Sequence, residues 1–60
     1  MEALMTVAEA AEVLKVARAT VYMYVYKRVI PHIKCEGALR FSPSALQAWI
    51  DERSVAPRPR

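Results

Sequence analysis

The sixty residues include one cysteine, one glycine, one histidine, one phenylalanine and one tryptophan. A single thiol forms no intramolecular disulfide, and one Cys with one His falls short of the usual structural zinc ligand sets. No apolar run approaches the ~18 residues of a membrane span, and no segment has the pattern of a signal peptide. Neither a membrane partner nor a cofactor is expected, and a reduced, cytoplasmic compartment is the default. Sixty residues leave no room for a cofactor domain beside a substrate domain. The sequence contains no nucleophile with a base, acid/base pair, metal-ligand cluster or phosphate-cradling glycine loop, so neither an enzyme nor a small-molecule ligand is expected.

What is present is material for an apolar core. The chain is 55% hydrophobic and 25% charged, the balance of a single globular domain. Its formal net charge is +3, unevenly spread. Residues 1–14 carry Glu2, Glu9 and Glu12 and no basic residue. Residues 15–40 carry Lys15, Arg18, Lys27, Arg28, Lys34 and Arg40 against Glu36 alone. A basic middle behind an acidic start is what an anionic polymer selects, because each neutralised phosphate releases condensed counterions.

Local patterns then divide the chain. Thr6-Val7-Ala8-Glu9 is a capping box, followed by Val7, Ala10, Ala11 and Leu14 on one helical face. This predicts a first helix over Val7–Leu14. After a tight link at Lys15-Val16, a second helix starts near Ala17 or Arg18 and runs to about Lys27 or Arg28. It has Val21, Tyr24 and Val25 inward, and Arg18, Ala19, Tyr22, Met23 and Tyr26 outward. Two short helices so joined form a helix-turn-helix unit.

Pro31 disfavours helix at Ile30, and the period then changes from 3.6 to 2. Ile33 and Cys35, then Leu39 and Phe41, alternate with polar or small residues around Gly37, which predicts a hairpin. If those four apolar residues share one face, the loop has three residues, Glu36-Gly37-Ala38. Cys35 then opposes Leu39 as a buried thiol, and Lys34 lies beside Arg40 on the outer face. Ser42-Pro43 is an N-cap followed by Pro at the first helical position. It opens a third helix with Leu46, Trp49 and Ile50 inward, where Trp49 is expected to close the core. Residues 1–53 are expected to form the domain, with 54–60 a disordered basic tail.

The stretch Leu4-Met5-Thr6-Val7-Ala8-Glu9-Ala10-Ala11-Glu12-Val13-Leu14, with Val16-Ala17-Arg18-Ala19-Thr20-Val21-Tyr22, resembles the opening of excisionase-type DNA-binding domains of the MerR superfamily. Ile30-Pro31, Gly37, Arg40-Phe41 and Ala45-Leu46-Gln47-Ala48-Trp49-Ile50 resemble their second half, so the likeness spans residues 4 to 53. It implies a winged helix-turn-helix, mainly α with a two-stranded β-hairpin wing, bound to double-stranded DNA. It implies that the second helix reads bases through Arg18, Ala19, Thr20 and Met23. Thr6, Lys15, Tyr22, Lys27, Arg28, Lys34 and Arg40 would hold phosphates, Thr6 at the free amides of the first helix. The chain departs from the family where Lys15 and Arg28 replace common glycines, Ala17 replaces a capping Ser, and Ala19, Met23 and Tyr26 replace basic residues. The expected role is that of an excisionase, self-associating along DNA and assisting an integrase. A small transcription repressor and a protein-interaction module are the alternatives. That the chain stops after the third helix, with no effector domain, is the expectation that favours an excisionase.

Overall fold

The computed structural model describes residues 2–55, so most of the expected tail lies outside the described residues. The element order is α1 (Val7–Leu14), α2 (Arg18–Tyr26), β1 (Ile33–Cys35), β2 (Ala38–Arg40) and α3 (Pro43–Arg53). It is a small winged helix-turn-helix.

Local chemistry explains where each helix begins. At α1 the Thr6 hydroxyl accepts from the Glu9 amide at 3.2 Å, and the Glu9 carboxylate accepts from the Thr6 amide at 2.9 Å. At α3 the Ser42 hydroxyl accepts from the Ala45 amide, with Pro43 behind it where no amide is needed. At α2 the N-cap is Ala17, which has no side chain to cap with.

Both helices of the helix-turn-helix end in the same way. Val16 N–H donates to the Ala11 carbonyl at 3.1 Å, and Val29 N–H to the Tyr24 carbonyl at 3.0 Å. Each bond closes over a left-handed residue, Lys15 at φ 57° and Arg28 at φ 57°. These are Schellman motifs, in which glycine is the usual left-handed residue. A side chain there costs about 1 kcal/mol. The two common family glycines replaced by Lys15 and Arg28 thus fall where glycine's freedom matters.

The core is Val7, Ala10 and Ala11 of α1, Val21 of α2, Ile30 of the connection, Phe41, and Leu46 of α3. Ala10, Val21 and Phe41 are fully enclosed. The small side chains of Ala10 and Ala11 let α1 approach its neighbours closely. Met5 and Phe41 exchange backbone hydrogen bonds of 2.8 and 2.9 Å, tying the segment before α1 to the base of the wing.

The hairpin differs from the sequence expectation. The pairs are Ile33 with Arg40, Lys34 with Leu39, and Cys35 with Ala38, so the loop is Glu36-Gly37 alone. Both loop residues have positive φ, 48° and 88°, the backbone of a tight turn whose twist matches that of the strands. This turn overrides the parity of the apolar residues. Leu39 is half-buried on the face opposite Ile33, and Cys35 is exposed rather than buried. Lys34 and Arg40 consequently occupy opposite faces of the wing.

Trp49 is also displaced from its expected place. It is half-buried at the rim, where its Nε1–H donates to the Val29 carbonyl. Its ring lies 5.8 Å from that of Tyr24, with the Arg53 guanidinium 4.3 Å above it. Phe41 takes the centre instead.

Candidate nucleic-acid interface

The outer surface of α2 is built by helical periodicity. Val21 is buried, while Tyr24 and Val25 are half-buried against the core. One exposed edge therefore carries Arg18, Tyr22 and Tyr26 at successive i+4 steps. Ala19 and Met23 form the next exposed row. Thr20, also expected at base edges, is half-buried.

Arg18 and Tyr22 share an open groove with Thr6, Val7 and Ala8 of the α1 end and with Gly37, Ala38, Leu39 and Arg40 of the wing. The groove thus gathers four of the expected contact residues, Thr6, Arg18, Tyr22 and Arg40, from three separate elements. Arg40 is half-buried there, and its guanidinium donates to the Leu39 carbonyl at 2.7 Å. That bond fixes the side chain along the strand. Thr6 fits less simply than expected. Its amide and that of Glu9 are already partnered within the capping box, so α1 offers fewer free amides than the sequence reading required.

The remaining cations lie around this groove. Lys15 borders a shallow hollow at the turn, together with Glu12, Val16 and Arg18. Arg28 and Lys34 border a second groove, which shares Tyr22 and Leu39 with the first. Lys27 is exposed at the end of α2. The first turn of α2 contains no acidic residue and no side-chain cap, so the positive end of its dipole stands uncompensated beside Arg18.

One acidic contact had no sequence signal. The Glu2 carboxylate accepts from the hydroxyls of Ser42 and Ser44 and from the Ser44 amide at 3.4 Å, which anchors it at the start of α3. The Ser42 and Ser44 hydrogen bonds lower its pKa below the ordinary carboxylate value. Glu2 is therefore occupied with holding the fold. Its partner serines lie forty residues away, and neither spacing nor periodicity links them to it.

Three features define the class: the two-helix turn, the exposed Arg18–Tyr22 edge, and a wing that brings Arg40 to the same groove. This is the arrangement of a DNA-binding helix-turn-helix domain. The family profile described as "Helix-turn-helix domain" matches residues 4–54, and the chain belongs to that family. No curated protein and no solved structure matches it. No group of His, Cys, Asp and Glu among the described residues has metal-binding geometry. No helix among them is long and apolar enough to cross a membrane.

Proposed function

We propose that the protein is a sequence-specific double-stranded DNA binder of the excisionase type. Several copies occupy neighbouring repeats of an attachment site, bend it, and direct an integrase toward excision. The observation that carries DNA recognition is the convergence of Arg18, Tyr22, Thr6 and Arg40 on one groove. Arg18 at the start of α2 reads a guanine edge or holds a phosphate, Ala19 and Met23 contact bases, and Tyr22 gives its hydroxyl to the backbone. Support for the excisionase role comes from the resemblance over residues 4 to 53 and from the modest charge of α2. Arg18 is the only basic residue within that helix. A monomer with so few cations holds DNA moderately and gains occupancy by binding beside another copy.

Footprinting on an attachment-site arm tests this reading. Cooperative protection of repeated sites, with loss of excision when the protein is absent, is the expected result. A single non-cooperative site, or promoter occupancy independent of any integrase, would instead identify a small winged-helix repressor. A second reading rests on a specific observation. Tyr22, Met23 and Tyr26 are exposed, Tyr26 by 88%, which suits a protein-interaction surface. Salt titration separates the two. A protein making about 4–6 phosphate contacts shows a log–log slope near −4 to −5, whereas an interaction module shows a flat dependence.

A further inference from the structure

Helix α2 has few groups able to read a base edge by hydrogen bonding. Its nine residues include no Asn, Gln, Asp, Glu, Lys or Ser. Asn and Gln are the side chains that pair with adenine, and Asp and Glu those that accept from cytosine. The hydroxyl of α2 belongs to Thr20, which is half-buried. What remains on the outside is the Arg18–Tyr22–Tyr26 edge and, beside it, the row formed by Ala19 and Met23.

That row is apolar and uncovered. Met23 is 44% exposed, and both residues lie outside the core and the half-buried layer packed against it. The order of the two side chains matters. In a helix-turn-helix the first residues of the second helix lie nearest the bases. Ala19, next to Arg18, is a single methyl there and does not hold the backbone away from the groove floor. Met23 stands one turn further back, about 6 Å along the axis, where a longer side chain is needed to reach the same floor. Its flexible thioether moulds to an irregular apolar surface.

The major groove displays one apolar group, the C5-methyl of thymine; the other features of the base edges there are hydrogen-bond donors and acceptors. Pressing Ala19 or Met23 onto a donor or acceptor strips it of water and leaves it unpaired, which is costly. Pressing them onto a methyl removes apolar surface from water on both sides and is favourable. The row therefore selects by rejection as much as by attraction.

We propose that Ala19 and Met23 read pyrimidine C5-methyl groups, so that the recognised site carries thymines clustered within about two base-pair steps of one another beside the group that Arg18 holds. The proposal rests on the DNA-binding reading and names the chemical group on which its specificity turns. 5-Methylcytosine carries its methyl on the same ring carbon as thymine. The row accepts it in place of thymine and rejects both cytosine and uracil, so methylation of a cytosine in a near-match site strengthens binding.

The test begins with selection of a bound sequence from a pool of labelled duplexes with a random core. Each thymine of the selected duplex is then replaced in turn by uracil, by cytosine paired with guanine, and by 5-methylcytosine paired with guanine, and affinity is read by fluorescence anisotropy. Uracil at one or two neighbouring positions is expected to weaken binding about 3- to 5-fold each, the effect of losing one buried methyl. Cytosine there should weaken it at least as much, and 5-methylcytosine should restore most of the loss. Met23→Gln keeps the length and helix propensity of the side chain, so it folds. It should bind the thymine duplex several-fold more weakly, cease to distinguish thymine from uracil at one position, and keep the wild-type salt slope, since no phosphate contact is lost. Ala19→Gly should lose the distinction at the other position. A selected site without clustered thymines, or uracil tolerated at each of them by the wild type, overturns methyl reading and leaves recognition through Arg18 standing. Variants that bind and discriminate as the wild type does overturn the assignment to this row and leave its exposed surface to a protein partner. A pool from which no sequence is enriched overturns sequence-specific DNA binding itself, and methyl reading with it.

Discussion

Arg18→Ala should move stability and binding in opposite directions. Arg18 is the first residue of α2, where the helix dipole is positive, no acid lies in the first turn and the cap is an alanine. A cation at that end is unfavourable by about 0.3–1 kcal/mol at low ionic strength. Its side chain is exposed and makes no described hydrogen bond or ion pair, so truncation leaves no orphaned partner. Alanine is also the better helix former. Removing Arg18 should therefore raise the melting temperature by about 1–8 °C, given roughly 4–8 °C per kcal/mol for a domain of this size. For DNA the sign reverses. A bidentate contact to guanine contributes about 1–3 kcal/mol of discrimination, so affinity for the cognate site should fall about 5- to 150-fold. Thermal melting by circular dichroism reads the first effect. Anisotropy on the site and on single-base variants reads the second. Loss confined to one base position identifies base readout, and a uniform loss with a salt slope shallower by about 0.9 identifies a phosphate contact. Unchanged affinity for every duplex would refute the placement of Arg18 in the interface, and a fall in melting temperature would refute the electrostatic argument.

Three further expectations concern the helix ends. Ala17→Ser supplies the missing hydroxyl at the α2 N-cap and should stabilise by about 1 kcal/mol, visible as a higher denaturant midpoint at unchanged slope. Lys15→Gly relieves the left-handed residue after α1 and should raise the melting temperature by a few degrees; if Lys15 also holds a phosphate, DNA affinity drops several-fold in the same protein. Glu2→Gln breaks a carboxylate contact that lowers the Glu2 pKa, so the stabilisation is complete above the ordinary carboxylate value of 4.5 and disappears as pH falls through the lower, folded-state value. Melting curves of the variant and wild type should differ at neutral pH and converge in acid; a constant gap would show that the charge is not what matters.

Much of the fold was legible because its signals are local. The Thr6–Glu9 capping box, the Ser42-Pro43 start and the i, i+3, i+4 spacing of α1 each lie within a few residues of what they determine. The hairpin was misread because its register depends on backbone rather than side-chain pattern. Glu36 adopts positive φ beside Gly37, and the resulting two-residue turn pairs Leu39 with Lys34, on the face opposite Ile33 and Cys35. The fully enclosed Phe41 and the rim position of Trp49 follow from how three helices and a wing close together, which periodicity within one helix does not encode. For the site, the outward edge of α2 was readable from its spacing. The separation of Lys34 from Arg40 was not, since it inherits the error in register. The partnered state of Thr6 shows that one residue serves as cap and groove wall at once.

The paired bonds between Met5 and Phe41 have a consequence for motion. Each of these residues directly adjoins a groove residue in the chain, Thr6 on one side and Arg40 on the other. They join segments thirty-six positions apart, so they form only after α1, α2 and the hairpin have been brought together. Any opening that breaks them separates the α1 wall of the groove from the wing wall. The amide hydrogens of Met5 and Phe41 are thus direct reporters of groove integrity. Their exchange rate with solvent measures how often the free protein loses the shape that meets DNA, and slower exchange in a complex measures how firmly the duplex holds that shape.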